Sequence, residues 1–310
     1  MTNLETLKLP QIKQIEQLRQ SNVLVLAASM LEISFLPILY QALNDIGHSQ
    51  RLDVVLYGRG GEINAARRIG LLLHKFTEQL TFIVPYHCES SYTILALAGH
   101  NIIAGDVAIF SPIDPRLNAA ESSAEEAPTA LASEDIRLFC KMSEDWFGIE
   151  GQDGRRDLFS ALGGSIFPTT LTSLYRSTLE VKSIAEELLA FQLPDASKRA
   201  AIVEQLVSGY HSHSFALSND DMTQIGLAVS SDKDVEALSW AIACQLEATI
   251  GGGVRQTMED PRNDVLIATR DHIHIRQRFP RQIAAQWLEL RQETEQKTIQ
   301  EGILKAGVTP

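Results

Sequence analysis

The chain has 310 residues, 45% of them hydrophobic and 21% charged, enough for one large domain or two smaller ones around a sizeable core. A formal net charge of −12 argues against a nucleic-acid partner, because phosphate binding needs a basic face. Three cysteines, Cys88, Cys140 and Cys244, stand far apart without zinc-site spacing, a pattern that predicts a reducing, cytoplasmic setting.

Residues 5–19 are polar with scattered Leu and Ile, which predicts a surface helix. No basic run leading into an apolar core and a small-residue site is present there, so no signal peptide is expected. Residues 23–40 are the most apolar stretch. Ser29, Glu32, Ser34 and Pro37 interrupt it, so a buried strand over 22–29 and a helix over 35–47 are expected instead of a membrane span. Gly47 supplies the helix stop. Strands are predicted over 51–61 and 80–86, with helices over 62–76 and 91–100 between and after them. Two short strands follow, in "NIIAG" and "VAIFSPIDP". Strand and helix thus alternate from 22 to 110, which predicts right-handed crossovers, a largely parallel sheet and a ligand site at the carboxyl ends of its strands.

Residues 118–134 are rich in Ala, Ser and Glu without an apolar period and predict a mobile loop. Helices are expected over 135–148, 170–192, 195–207 and 234–249, and the Gly-rich residues 151–168 are expected to contain a loop, "GQDGRRD". The segment 211–229 reads as turn, helix and short strand, with Asn219 or Asp220 as the cap. Residues 254–275 are polar and variable, with "HIHIR" at 272–276 alternating like a strand. A charged terminal helix is predicted over 281–304.

Two strand ends carry unusual sequence, Gly58-Arg59-Gly60-Gly61 and Cys88-Glu89-Ser90. Paired glycines can make a tight turn, or leave backbone N–H groups free to hold an anion or a developing oxyanion. Neither a P-loop nor the dinucleotide fingerprint is present. Ser90 opens an apolar helix, where serine is a common N-cap; a serine at a strand-to-helix corner is also how some hydrolases expose a nucleophile. The G-x-S-x-G elbow itself is absent.

In combination, "YGRGGEINAARRIGLLL", "IVPYHCESSYTILALAGHNI", "FSPIDPRL" and "HSHSFALSNDDMTQIGLAV" resemble the serine dehydrogenase proteinase family, a ClpP/crotonase-fold group related to signal peptide peptidase A. The resemblance covers roughly residues 22–230. It implies an α/β fold of that type, with Ser90 as nucleophile and the N–H groups of Gly61 and Ser91 as the oxyanion hole. His213 falls on the family's Ser/Thr-His position. The departures are Ser91-Tyr92 where the family has Gly-Gly, Arg59 where it has Pro, Ser214 where Asp or Asn follows its His, and Cys88-Glu89 in place of small residues. Tyr92 is expected to narrow the pocket, and the changes leave an inactive scaffold or peptide-binding protein as an alternative.

A serine hydroxyl needs a base. The "SPIDPR" stretch holds no histidine where ClpP has one, so the lysine of signal peptide peptidase A-type relatives is the guide. Lys141, 51 residues after Ser90, is the expected base, with Lys182, His213 and His87 behind it. Asp114, between two prolines, reads as structural or supporting, and Cys88 as a small buried residue.

The resulting expectation is a serine peptidase acting on a peptide or protein, needing no metal or organic cofactor and assembling as a homo-oligomer. The helices at 281–304 and 35–46 are its candidate contacts. A catalytic domain over 22–230 is flanked by an N-terminal helical segment, 1–21, and a C-terminal helical extension, 231–310. A crotonase-type acyl-CoA enzyme, with Gly61 N–H polarising a thioester carbonyl, is the other alternative.

Overall fold

A computed structural model describes residues 7–117, 131–251, 261–280, 282 and 284–292. In chain order, α1 (Gln11–Arg19) leads into β1 (Asn22–Ala28), and a 3-10 turn, Ile33–Phe35, opens α2 (Leu36–Ile46). Then come β2 (Ser49–Gly58), α3 (Ile63–Leu73), β3 (Thr77–Val84), β4 (His87–Cys88), α4 (Ser91–Ala96), β5 (Asn101–Ala104) and β6 (Ile109–Phe110). A two-residue ladder joins β7 (Arg116–Leu117) to β8 (Leu131–Ala132). Four helices follow: α5 (Ser133–Phe147), α6 (Gly151–Ser165), α7 (Pro168–Leu189) and α8 (Ala196–Ser208). The chain closes with α9 (Asn219–Gln224), β9 (Val229–Ser230), α10 (Lys233–Leu246) running into a π turn, Glu247–Gly251, then β10 (Arg262–Ala268), β11 (His272–Arg278) and β12 (Gln286–Arg291).

The sheet order is β12-β11-β10-β1-β2-β3-β5-β9. From β1 to β9 every pairing is parallel, as the alternation of strand and helix requires. β1 runs in register with β2 from Asn22↔Leu52 to Ala28↔Gly58. Both faces of these strands are covered, so they read as continuous apolar runs and not as period-two alternation. Leu24, Leu26, Val54, Leu56, Phe82 and Val84 join the cluster shared with α2, α3, α4 and α7. Val23, Val25, Val55, Tyr57 and Ile83 join the smaller cluster with α1 and α10. At its carboxyl end β2 also pairs with β4, Gly58↔Cys88, and β4 pairs with β6, so a small parallel layer branches from the main sheet beside the turn at 58–61.

Four expectations change. Residues 151–165 are a helix: Leu158 is buried on its inner face, and that contact outweighs the helix-weakening glycines. The cap of α9 is Ser218, whose hydroxyl accepts from the Asp221 N–H while Asp221 accepts from the Ser218 N–H. The mobile loop expected over 118–134 gives way to β8 and the start of α5 at 131–134, and its residues 118–130 lie outside the described residues.

The terminal helix expected over 281–304 is replaced, in its described part, by strand β12. Trp287, Leu288, Glu289 and Leu290 run as a strand antiparallel to β11, and Trp287 packs edge-on against Phe35; residues 293–304 lie outside the described residues. Among its described residues the C-terminal stretch holds one α-helix and three antiparallel strands laid on β1, where a helical extension is expected.

These strands are tied to the rest by a buried charge network. Arg276 donates to both Glu32 oxygens at 2.9 Å and to Asp264, and stacks over Phe35 at 4.7 Å. Arg278 also meets Glu32 and Asp264. Arg276 and Asp264 are almost fully buried, so their charges persist only because they are paired.

Candidate active site

The turn after β2 and the start of α4 lie side by side. Gly61 has φ +139°, in the region open to glycine, and a Cβ there would fall 2.1 Å from the Leu31 nitrogen. Leu31 holds the turn from both sides: its N–H donates to Gly60 O at 2.8 Å, and its carbonyl accepts from the Glu62 N–H at 2.8 Å. The Ser90 Cβ sits 3.8 Å from where a Cβ would project from Gly60.

Ser90 has φ +56° and ψ −116°, a conformation that costs a non-glycine residue about 1–3 kcal/mol. Its side chain makes no cap hydrogen bond, so capping does not account for it. The surroundings hold the strain. Ser90 N–H donates to Ser111 Oγ at 2.7 Å, Glu89 N–H to Gly58 O at 3.1 Å, and Thr93 Oγ1 to Cys88 O at 2.7 Å. Every side chain of α4 from Ser91 to Ala96 is buried. The N–H groups of Gly61 and Ser91 have no partner among the described residues, the condition for an anion or oxyanion donor pair.

The residue expected to narrow the pocket does not. Tyr92 is fully buried and turned inward, its hydroxyl donating to Ala28 O at 3.3 Å. Its ring occupies the space over Gly58, where a Cβ would come within 2.1 Å of it. Cys88 is also fully buried, and burial followed by the nearby Glu89 charge pushes its thiol well above the usual range, which removes it as a thiolate.

Two histidine–carboxylate pairs flank the corner. His87 Nδ1 lies 2.6 Å from Glu89 Oε1 and Nε2 lies 2.8 Å from Arg59 Nη2. Arg59 can only donate and an ionised Glu89 can only accept, so the ring is neutral with its proton on Nδ1, and its free lone pair is taken by Arg59. On the other side, His213 Nδ1 lies 2.6 Å from Asp114 Oδ1, which joins the Ser-His and Pro-Ile-Asp-Pro stretches. Asp114 is nearly buried and His213 is half-exposed, with no partner at Nε2 among the described residues. Asp114 follows Ser111, the residue that anchors the Ser90 backbone, by three positions.

The lysines stand elsewhere. Lys141 is exposed on α5 and has no contact with Ser90 among the described residues. Lys182, on α7, is paired with Glu204 of α8 at 2.5 Å. The residues sequence reading missed are Ser111, which orients the Ser90 backbone, and the Arg59–His87–Glu89 chain. A histidine two positions before a carboxylate was visible, but not that a β4 strand would aim both to one side. Among the described residues, no cluster of three or more His, Cys, Asp or Glu could hold a metal, and no helix is long and apolar enough to cross a membrane.

Residues 1–127 match the family described as ClpP-like SDH-type serine proteinase. That match bears out the resemblance carried by Gly60-Gly61, Ser90 and Pro-Ile-Asp-Pro, and it covers less than half of the chain. The chain is 22% identical over 237 residues to an uncharacterized protein of Methanocaldococcus jannaschii, covering 71% of this chain and 70% of that one. A second uncharacterized protein of the same organism is 33% identical over 66 residues, 21% of this chain and 23% of its own length. Among solved structures, the 1510-N membrane-bound stomatin-specific protease, as a serine-to-alanine mutant, is similar at 15% identity and TM-score 0.39, over 70% of this chain and 83% of that one. An enoyl-CoA hydratase from Polaromonas sp. JS666 is similar at 16% identity and TM-score 0.35, over 74% and 76% of the two chains.

Proposed function

We propose that the chain hydrolyses peptide or protein amide bonds through an acyl-enzyme on Ser90. The observation that carries this reading is the conformation of Ser90: strained, free of any cap bond and set against Gly60-Gly61 within a stretch that matches a serine proteinase family. Ser90 Oγ attacks the carbonyl carbon and its proton passes to a base. The N–H groups of Gly61 and Ser91 receive the oxyanion. The base returns the proton to the leaving amine, and water then releases the acyl group by the same route reversed.

For the base, the geometry favours His213. Asp114 fixes its Nδ1 proton, which leaves Nε2 as the acceptor, the arrangement in which a carboxylate orients an imidazole. Lys141 is the second reading. Lysine serves as a base when burial strips it of water, and Lys141 is exposed, so this role requires α5 to be covered by substrate or by another copy of the chain. We propose homo-oligomerisation through the helical arm. Trp146, Phe147, Phe159, Phe167 and Tyr175 of α5 to α7 and their connections are all more than 60% exposed, and large aromatics left in water on neighbouring elements are what an interface would cover.

The test is intact-protein mass spectrometry after treatment with fluorophosphonate and acylating probes. One adduct on the wild type, absent from Ser90→Ala, supports the reading. Absence of an adduct in folded wild-type protein turns the reading to the inactive scaffold.

A further inference from the structure

A cavity of about 190 Å3 opens beside the turn, on the α10 side of the sheet, lined by Ala28, Tyr57, Gly58, Arg59, Glu247 and Ile250. Its walls belong to the carboxyl ends of β1 and β2 and to the π turn after α10. Arg59 is next to Gly60, and Tyr57 packs edge-on against His87, so two of the residues that wall the cavity adjoin the Ser90 corner. Its size is below the roughly 300–1,000 Å3 of small-molecule sites, so it has room for one side chain and not for a cofactor.

Two polar atoms of its lining residues are buried without a partner among the described residues. The Tyr57 hydroxyl is one, on a residue only 4% exposed, and Glu247 Oε2 is the other. An orphaned buried carboxylate oxygen and phenol are costly to keep in a folded protein, and such groups in a cavity beside a reacting centre mark what the cavity receives. Glu247 only accepts hydrogen bonds when ionised, and a phenol oxygen can accept as well. The complementary group is a cationic donor at the end of an unbranched apolar stem, with the stem against Ala28 and Ile250. Arg59 contributes the opposing charge. It is exposed and partly screened by solvent, with Nη2 engaged by His87, whereas the Glu247 oxygen is shielded from water and acts more strongly.

We infer that this cavity is a substrate subsite that receives a lysine side chain, its ammonium held between Glu247 and the Tyr57 hydroxyl. The inference rests on the peptidase reading for its setting, so the binding test uses Ser90→Ala protein, which does not depend on turnover. Ligand-observed NMR titration would compare N-acetyl-lysine methylamide with N-acetyl-norleucine methylamide, which shares the stem and lacks the charge. The lysine amide should bind about tenfold more tightly. In the same background Glu247→Gln and Tyr57→Phe should each erode that preference while leaving norleucine amide binding unchanged. Tyr57→Phe keeps the ring that packs on His87, so a folding defect does not confound it. Where the wild-type protein turns over peptides, kcat/KM should show the same preference and the same loss. Equal binding of the two amides, binding of neither, or a lysine preference that survives both substitutions would overturn the subsite. Lysine binding without any turnover would keep the subsite and count against the peptidase reading alone.

Discussion

The Ser90 corner and the α5–α7 arm are built by opposite means. In the corner every side chain from Ser91 to Ala96 is buried, Gly58 and Gly61 leave no room for a Cβ, and the strain at Ser90 is held by bonds to residues far along the chain. In the arm, α5 and α6 each have few buried positions, and large aromatics stand in solvent. A rigid corner can aim a nucleophile by itself. An exposed arm can supply a base only after something covers it. The difference separates what one copy of the chain fixes from what an assembly would have to complete.

Four substitutions would break that comparison. Ser90→Ala should have the largest effect, abolishing the probe adduct and lowering any peptide turnover by about 10³-fold or more, measured as kcat on one peptide pool. His213→Ala should follow, with a loss of about 10²–10⁴-fold, the range of a lost general base, while Lys141→Ala in the single chain changes turnover less than about twofold. A loss confined to Lys141→Ala would place the base on the arm and imply that α5 is covered in the active species. Asp264→Ala tests whether the corner depends on its surroundings. It removes one of the two carboxylates paired with buried Arg276, leaving Glu32, and should lower stability by about 3 kcal/mol in urea unfolding, the low end for a broken buried pair.

Much of the corner was legible from residues. The alternation from 22 to 110 led to the parallel sheet, and Gly60-Gly61 and Ser90 marked the two strand ends that meet. The role of Tyr92 was not legible, because its direction depends on the absence of a side chain at Gly58, 34 positions earlier. The meeting of Asp114 and His213 was hidden for the same reason, since 99 residues separate them. The last strand, β12, was misread as helix where "QWLELRQETEQ" offers many helix formers. Pairing with β11 and the packing of Trp287 on Phe35 outweighed that local propensity.

Gly61→Ala sharpens the comparison next, with a smaller effect on stability than the loss of Asp264. The new Cβ would meet the Leu31 backbone and occupy a φ that alanine rarely adopts, so a cost of about 1–3 kcal/mol is expected in the same unfolding experiment. Any turnover should fall more steeply than stability does, because the Gly61 N–H would shift from its position beside Ser90. The equivalent change in the arm, Gly163→Ala, meets nothing and lies in a helix, where it should be neutral or stabilising.

The smallest effect concerns acid, and it falls away from both regions. His74 stacks on Phe191 at 3.5 Å and donates to Ala98 O, and His274 is nearly buried on β11 with Nε2 unpaired. Burial lowers the pKa of both below the ordinary histidine value. Between that ordinary value, near 6.5, and the lowered one, the unfolded chain binds protons that the folded chain refuses. The stability these rings allow is therefore complete above about pH 6.5 and declines as pH falls through the window below it. Thermal unfolding from pH 7.5 to pH 5 should show Tm decreasing with acid, and His274→Gln should flatten that slope relative to wild type. Glu16, whose carboxyl burial raises, acts in the opposite sense, and it is common to both proteins, so it cancels in the difference. An unchanged slope in His274→Gln would mean that the ring gains its proton in the folded state without cost, which its unpaired, buried Nε2 argues against.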